Sequence, residues 1–184
     1  MRILLVIPTY EPHYIHHPDL ERFYTDNFDS LLKAEGCLKV QLVITDFASS
    51  KSYKAFLRNY VSSRPDCYLI DGEQEASLHV AINIALGNFD YDYWVYAASD
   101  VRARDTHWLE TLLTDFYDPE VQIALPTVTI DGNSSCRQNQ AGPLDRASRP
   151  IGPYEKFNLR CAVFARRFFL DFDNRYPDIF DCVH

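Results

Sequence analysis

The sequence predicts an α/β protein, a Rossmann-type sandwich with a mostly parallel central sheet flanked by helices. Three observations predict it. Tyr93-Trp94-Val95-Tyr96-Ala97-Ala98 is an uncharged run of aromatic, β-branched and small residues, comfortable only as a strand buried on both faces. Ile3-Leu4-Leu5-Val6-Ile7 and Val40-Gln41-Leu42-Val43-Ile44-Thr45 read the same way. Between such runs lie segments with apolar residues three and four apart, and strands alternating with helices through residue 130 argue a largely parallel, doubly wound sheet.

The first strand is closed by Pro8, which places Thr9 and Tyr10 at its carboxyl end. Glu11 to Asp19 holds two prolines and three histidines, and Pro12 and Pro18 make it a loop. His13, His16 and His17 read as solvated rim residues, since no cysteine or further histidine cluster supports a closed zinc site. Leu20, Phe23, Tyr24, Phe28, Leu31 and Leu32 then recur at helical spacing, predicting an amphipathic helix over 20–35 that Gly36 ends. The second strand runs into Asp46, and Ser49 and Ser50 supply turn and cap chemistry for a helix over 53–61.

A third strand is expected at 67–70, turned by Asp71-Gly72. Leu78, Ile82, Ala85 and Leu86 predict a helix over 76–86 that Gly87 ends, with His79 and Asn83 as surface or packing residues. The central strand follows and runs into Ser99-Asp100. Thr106 to Tyr117 reads as a helix stopped by Pro119, and Val121 to Ile130 as a strand broken by Pro126. Asp131 to Tyr154, with two Asn, three Ser, three Gly and three Pro, is a long loop of the kind that is functional or mobile. Leu159 to Phe164 suits a strand, Ala165 to Leu170 a helical turn, and Asp171 to His184 an acidic tail.

At 184 residues with a 47% hydrophobic share, the chain suits one domain, 1–184, with a sizeable core. A net charge of -8 repels a polyanion, so no nucleic-acid partner is expected, and Arg160, Arg166 and Arg167 are too few to reverse that. No run approaches the roughly 20 apolar residues of a transmembrane segment. Five widely spaced cysteines without a CxxC fit free thiols in a reducing cytoplasm. The expected location is cytoplasmic, with peripheral association at a membrane left open.

Thr9, Asp46 and Asp100 each follow a strand, and in open α/β sheets ligands bind beyond the carboxyl ends of the strands. Asp100 or Asp105 could equally cap the following helix. GxGxxG and Walker sequences are absent, so dinucleotide and P-loop readings lose their support. A diphosphate held without a glycine loop calls instead for a divalent cation, bound by few carboxylates together with phosphate oxygens.

Ile7-Pro8-Thr9-Tyr10, Leu42 to Asp46 with Ser49 and Ser50, Ala81 to Leu86, and Tyr93 to Asp100 together resemble the successive blocks of the family 2 glycosyltransferases of the GT-A fold. The likeness covers about the first 110 residues. It implies a nucleotide-sugar-binding half at 1–110 and a short or truncated acceptor-side half at 111–184. Pro8, Thr9, Tyr10, Asp46 and Ser99 would bind the nucleotide, and Asp100 would hold Mn²⁺ or Mg²⁺. The chain departs from the family where Thr45-Asp46 and Ser99-Asp100 each keep one acid of a pair. The segment from Cys161 onward resembles the approach to the family's catalytic Glu-Asp pair, with Phe180-Asp181 in its place. Asp181, or alternatively Asp178, is then the base that takes the acceptor proton.

The resemblance implies an inverting, metal-dependent hexosyltransferase. It would move a sugar from a nucleoside-diphosphate donor, uridine-linked by expectation, to a glycan, lipid-linked or protein acceptor. A donor-binding domain without independent catalysis, part of a larger enzyme, is the alternative. A sugar-nucleotide pyrophosphorylase is disfavoured, because Pro8 to Pro12 is unlike that class's glycine- and arginine-rich loop.

Overall fold

The computed structural model describes residues 1–34, 38–74, 76–126, 128–130, 134–136 and 160–166. They form a six-stranded sheet in the order β3-β2-β1-β4-β8-β5, and a separate two-stranded ribbon, β6-β7. The strands are β1 (Arg2–Thr9), β2 (Lys39–Phe47), β3 (Cys67–Gly72), β4 (Tyr93–Ala97), β5 (Ile123–Ala124), β6 (Val128–Ile130), β7 (Ser134–Cys136) and β8 (Cys161–Ala165). The helices are α1 (Pro18–Leu32), α2 (Lys51–Ser62), α3 (Leu78–Asn88) and α4 (Trp108–Leu113), the last running into a 3-10 turn at Thr114–Tyr117.

β1 pairs in parallel with β2 and β4, and β2 with β3, as the alternation of elements predicts. β8 enters the other way and pairs antiparallel with β4 and β5. The apolar strands are explained by their two covered faces. Ile3, Leu5, Ile7, Leu42, Ile44 and Val95 pack with α1, α2 and α4. Leu4, Val6, Val43, Trp94 and Tyr96 pack with Ile82, Ala85 and Leu86 of α3. Because side chains alternate along a strand, both parities must be apolar.

Several local expectations are corrected. α1 begins at Pro18, not at Leu20: proline fits the first helical position, and the His17 ring accepts the Asp19 N–H at 3.3 Å as its cap. Asp71-Gly72 is not a turn but the end of β3, where Asp71 is paired with Asp46 and Gly72 with Phe47. A Cβ on Gly72 would lie 2.3 Å from the Phe47 ring, so glycine is required there by space. Gly87 lies inside α3 rather than ending it, with open space around it, and the chain becomes extended at Phe89. The helix expected over 106–117 is a six-residue α-helix followed by the 3-10 turn.

The strand expected over 121–130 is split around Pro126 into β5 and β6, and β7 pairs with β6 inside the stretch read as loop. The remainder of 131–154, the tail 171–184, and Gly36 lie outside the described residues. Cys67 and Cys161 are buried thiols; burial pushes the first up to about 11 and the second up to about 12. None of the helices among the described residues is long and apolar enough to cross a membrane.

The union of β8 with β4 is tightest at Trp94 and Phe164, which are register partners and stack at 4.4 Å with 8° between the rings. Both are fully buried. Phe164→Ala is expected to cost about 3–5 kcal/mol of unfolding free energy, measured by urea denaturation. Phe164→Leu should lose clearly less.

Candidate active site

The carboxyl ends of β1, β2 and β4 lie along one edge of the sheet. Thr9 is the register partner of Asp46. The Thr9 hydroxyl donates to Asp46 Oδ1 at 2.8 Å, and the Ser49 hydroxyl donates to the same oxygen at 2.5 Å. Ser49 Oγ in turn accepts the Glu11 N–H at 2.7 Å. Ser50 N–H donates to the Glu11 carbonyl at 3.0 Å, and the Ser50 hydroxyl to the Tyr14 carbonyl at 3.1 Å. The loop after β1 is thereby bolted to the turn after β2. Its proline-rich sequence explains why it needs such ties, since it makes no ladder of its own.

Asp46 itself is wholly buried. Oδ2 has no hydrogen bond; its counter-charge is Lys54 Nζ at 3.9 Å. Burial pushes this carboxyl up, against the hydrogen bonds from Ser49 and Thr9 and the charge of Lys54. Lys54, on the buried face of α2, pairs with Asp71 at 2.6 Å and donates to the Gly72 carbonyl. Arg58 also pairs with Asp71. Burial alone would raise the Asp71 carboxyl, but the hydrogen bonds and charges of Lys54 and Arg58 outweigh it and hold it below the ordinary range.

Asp100 follows the buried end of β4 and is about half exposed, with Arg160 Nη1 at 3.4 Å from Oδ2. It is not the helix cap. Asp105 accepts the His107 N–H at 2.9 Å ahead of α4. The Asp100 loop is held by α1: Asn27 Nδ2 donates to the Ser99 carbonyl at 3.1 Å, and the Ser30 hydroxyl accepts the Ala103 N–H at 3.0 Å. The Tyr24 hydroxyl donates to Glu11 at 2.6 Å; its phenol is raised by burial, then by that bond, with the charge of Asp100 adding to it. Glu11 and Asp100 therefore act on one neighbourhood.

Of the residues predicted from sequence, Pro8, Thr9, Tyr10, Asp46, Ser99 and Asp100 are all placed on this edge, with Tyr10 exposed and Thr9 and Asp46 buried. Asp178 and Asp181 lie outside the described residues. The histidines of the first loop form no metal cluster: His17 caps α1, His16 pairs with Glu21 at 2.9 Å, and among the described residues no three His, Cys, Asp or Glu side chains gather. Arg160 and Arg166 stand at opposite ends of β8, so they do not make a basic patch; Arg166 lies over the Tyr91 ring.

Glu11, Asn27, Lys54 and Asp71 went unnoticed in the sequence. Asn27 and Lys54 carried a signal, a polar residue on an otherwise apolar helix face beside Tyr24 and Phe28, or Tyr53 and Leu57.

The sequence matches the model of Glycosyl transferase family 2 over residues 5–176. The chain belongs to that family. Its fold is similar to TarS 1–349 of S. aureus, with a TM-score of 0.68 and 14% identity over 96% of this chain and 50% of that one. It is also similar to the mannosyltransferase PcManGT of Pyrobaculum calidifontis, solved with GDP-Man and Mn²⁺, with a TM-score of 0.66 and 16% identity over 95% of this chain and 47% of that one. TarS 1–349 with UDP-GlcNAc matches at 0.66 and 13% identity, over 96% and 49% of the two chains. The family 2 chain thus has the GT-A fold and spans about half the length of these structures. No curated protein sequence matches it.

A divalent cation fits this family 2 edge in one way. Asp100 is one accessible carboxylate, and among the described residues no group of three His, Cys, Asp or Glu could hold a metal ion, so phosphate oxygens and water would complete an octahedron.

The Lys54-Asp71-Arg58 cluster makes stability depend on pH with a definite sign. Because Asp71 is depressed on folding, its contribution is full above the ordinary carboxylate value of about 4 and is lost as pH falls through the depressed value. Asp46, raised on folding, contributes in the opposite sense, losing its share as pH rises through its raised value. Asp71→Asn is expected to cost about 1.5–3 kcal/mol at pH 7. Urea denaturation of both proteins across pH should show that gap narrowing steadily below about pH 4.

Proposed function

We propose that the carboxyl edge of β1, β2 and β4 is the donor site of an inverting, metal-dependent glycosyltransferase. The donor is a nucleoside-diphosphate sugar, uridine-linked in the favoured reading, and a hexosyl group passes to an acceptor hydroxyl on a glycan, lipid or protein. The observation that carries this is Asp100: an accessible carboxylate just beyond a strand buried from Trp94 to Ala97, not used as a helix cap, in a family 2 chain. Residues 1–110 form the donor half and 111–184 the acceptor side.

Pro8, Thr9, Tyr10 and Ser99 line the nucleotide. Asp46 is sealed from solvent, so its part in nucleotide binding is to fix Thr9 and, through Ser49, the Tyr10-Glu11 backbone. Asp100 would hold Mn²⁺ or Mg²⁺ jointly with the diphosphate. Bound there, the cation neutralises charge on the departing diphosphate. The acceptor oxygen attacks the anomeric carbon as the bond to the diphosphate breaks, the bonding pair leaves with the phosphate, and the acceptor proton passes to Asp181 or Asp178. The PcManGT complex with GDP-Man and Mn²⁺ and the TarS complex with UDP-GlcNAc support the donor class. A donor-binding unit without independent catalysis is the second reading, favoured by the lone acid after β4; hydrolysis of donor by the chain separates the two.

Asp100→Asn preserves shape and removes charge. Titrating UDP into both proteins with Mn²⁺ and with chelator should show a Mn²⁺-dependent gain in the wild type and none in the variant. An undiminished gain removes Asp100 from the metal site. Asp46→Ala should weaken UDP even under chelator, because Thr9 and, through Ser49, the Tyr10-Glu11 backbone lose their anchor; calorimetry finding equal affinity removes Asp46 from the site.

A further inference from the structure

β8 runs antiparallel to β4, so the residue preceding it is delivered to the same sheet edge as the residues following β4. That residue is Arg160. Its backbone is pinned there, because the Ala98 N–H donates to the Arg160 carbonyl at 2.8 Å. Its guanidinium lies 3.4 Å from Asp100 Oδ2, and the two side chains are 53% and 55% exposed. The backbone tie fixes where the guanidinium is rooted, while its ion pair with Asp100 lies open to solvent.

A guanidinium and a divalent cation compete for one carboxylate. Ser99 and Val101 flank Asp100 in the chain, so neither adjacent residue is an acid that could serve both. Phosphate groups offer a guanidinium two parallel charge-assisted hydrogen bonds, a stronger match than one exposed carboxylate oxygen. We propose that Arg160 is an exchangeable counter-ion of the donor site: it neutralises Asp100 in the empty protein and transfers to the donor diphosphate when nucleotide and cation bind. The proposal rests on the donor-site reading given above.

It has a directional consequence. Cation alone must displace Arg160, and so binds weakly; the diphosphate draws Arg160 away and frees Asp100, so nucleotide and cation promote each other's binding by the same factor. Removing the guanidinium helps one ligand and harms the other, a pattern that general damage to the fold does not produce.

The test is calorimetric titration of MnCl₂ alone, and of UDP and GDP each with and without MnCl₂, into the wild-type chain, Arg160→Gln and Arg160→Lys, with folding checked by circular dichroism. Arg160→Gln should bind Mn²⁺ alone about two- to fivefold tighter, the worth of an exposed ion pair. It should bind UDP with Mn²⁺ about ten- to hundredfold more weakly, the worth of a hydrogen bond to a charged group. Arg160→Lys should fall between, keeping charge without the fork. Mn²⁺ affinity in Arg160→Gln that is unchanged or weaker overturns the proposal, as does unchanged UDP affinity, and in those cases a wild-type protein that binds UDP with Mn²⁺ leaves the donor site standing. A wild type that binds neither UDP nor GDP under any of these conditions overturns the donor-site reading and the proposal together.

Discussion

The carboxylate of Asp46, buried without access to water, is the constraint on which this edge of the molecule depends. A charge in that position is costly unless it is met by donors or a counter-charge, and these come from three separate stretches of chain: the hydroxyls of Thr9 at the end of β1 and Ser49 in the turn after β2, and the charge of Lys54 one turn into α2. Each donor is in turn fixed by another bond, so the loop after β1, the turn after β2 and the end of β3 are held as one piece. The turn is bent hard to achieve this. Ala48 has φ 62°, a left-handed conformation that costs a residue with a Cβ about 1–2 kcal/mol, and its N–H is secured on the Gly72 carbonyl at 3.2 Å.

The two acids of the edge are treated in opposite ways. Asp46 is enclosed and its charge is consumed by the protein. Asp100 is left at the surface with a partner that solvent also reaches. Between them stand Glu11 and Tyr24, joined at 2.6 Å, and a tilted cluster of aromatic rings from Tyr14, Tyr24, Tyr53 and Phe56 that gives the first loop a floor. Rigidity on one side and an open carboxylate on the other suit a site that recognises a fixed group while a charged one comes and goes.

Much of this was legible in the sequence, for identifiable reasons. β1, β2 and β4 announce themselves because burial on both faces demands apolar residues, and Thr9, Asp46 and Asp100 stand out as polar groups at or just after their carboxyl ends. The start of α1 was hidden, because Pro18 signals a break and a first helical position equally well. Asp71-Gly72 reads as a turn until the Phe47 ring is seen to require the missing side chain. Lys54 and Asn27 are visible only as blemishes on apolar helix faces; what they satisfy is far along the chain. The direction of β8 could not be read at all, since a five-residue apolar run carries no mark of which way it enters a sheet.

That direction matters before the protein is ever complete. Tyr93 of β4 is paired with Ala165 of β8, and β8 lies far later in the chain than β1, β2 and β3, so this pairing waits on residues that are made after the rest of the sheet. As a chain emerges from the ribosome amino-terminus first, β1 to β4 can assemble while β8 is still unmade. In that interval β4, short, uncharged and apolar, is the open border of the sheet, with its backbone groups and the face of Trp94 offered to any other strand. β8 therefore covers the edge that β4 would otherwise leave open, and the lag before it docks is a period of exposure built into the topology.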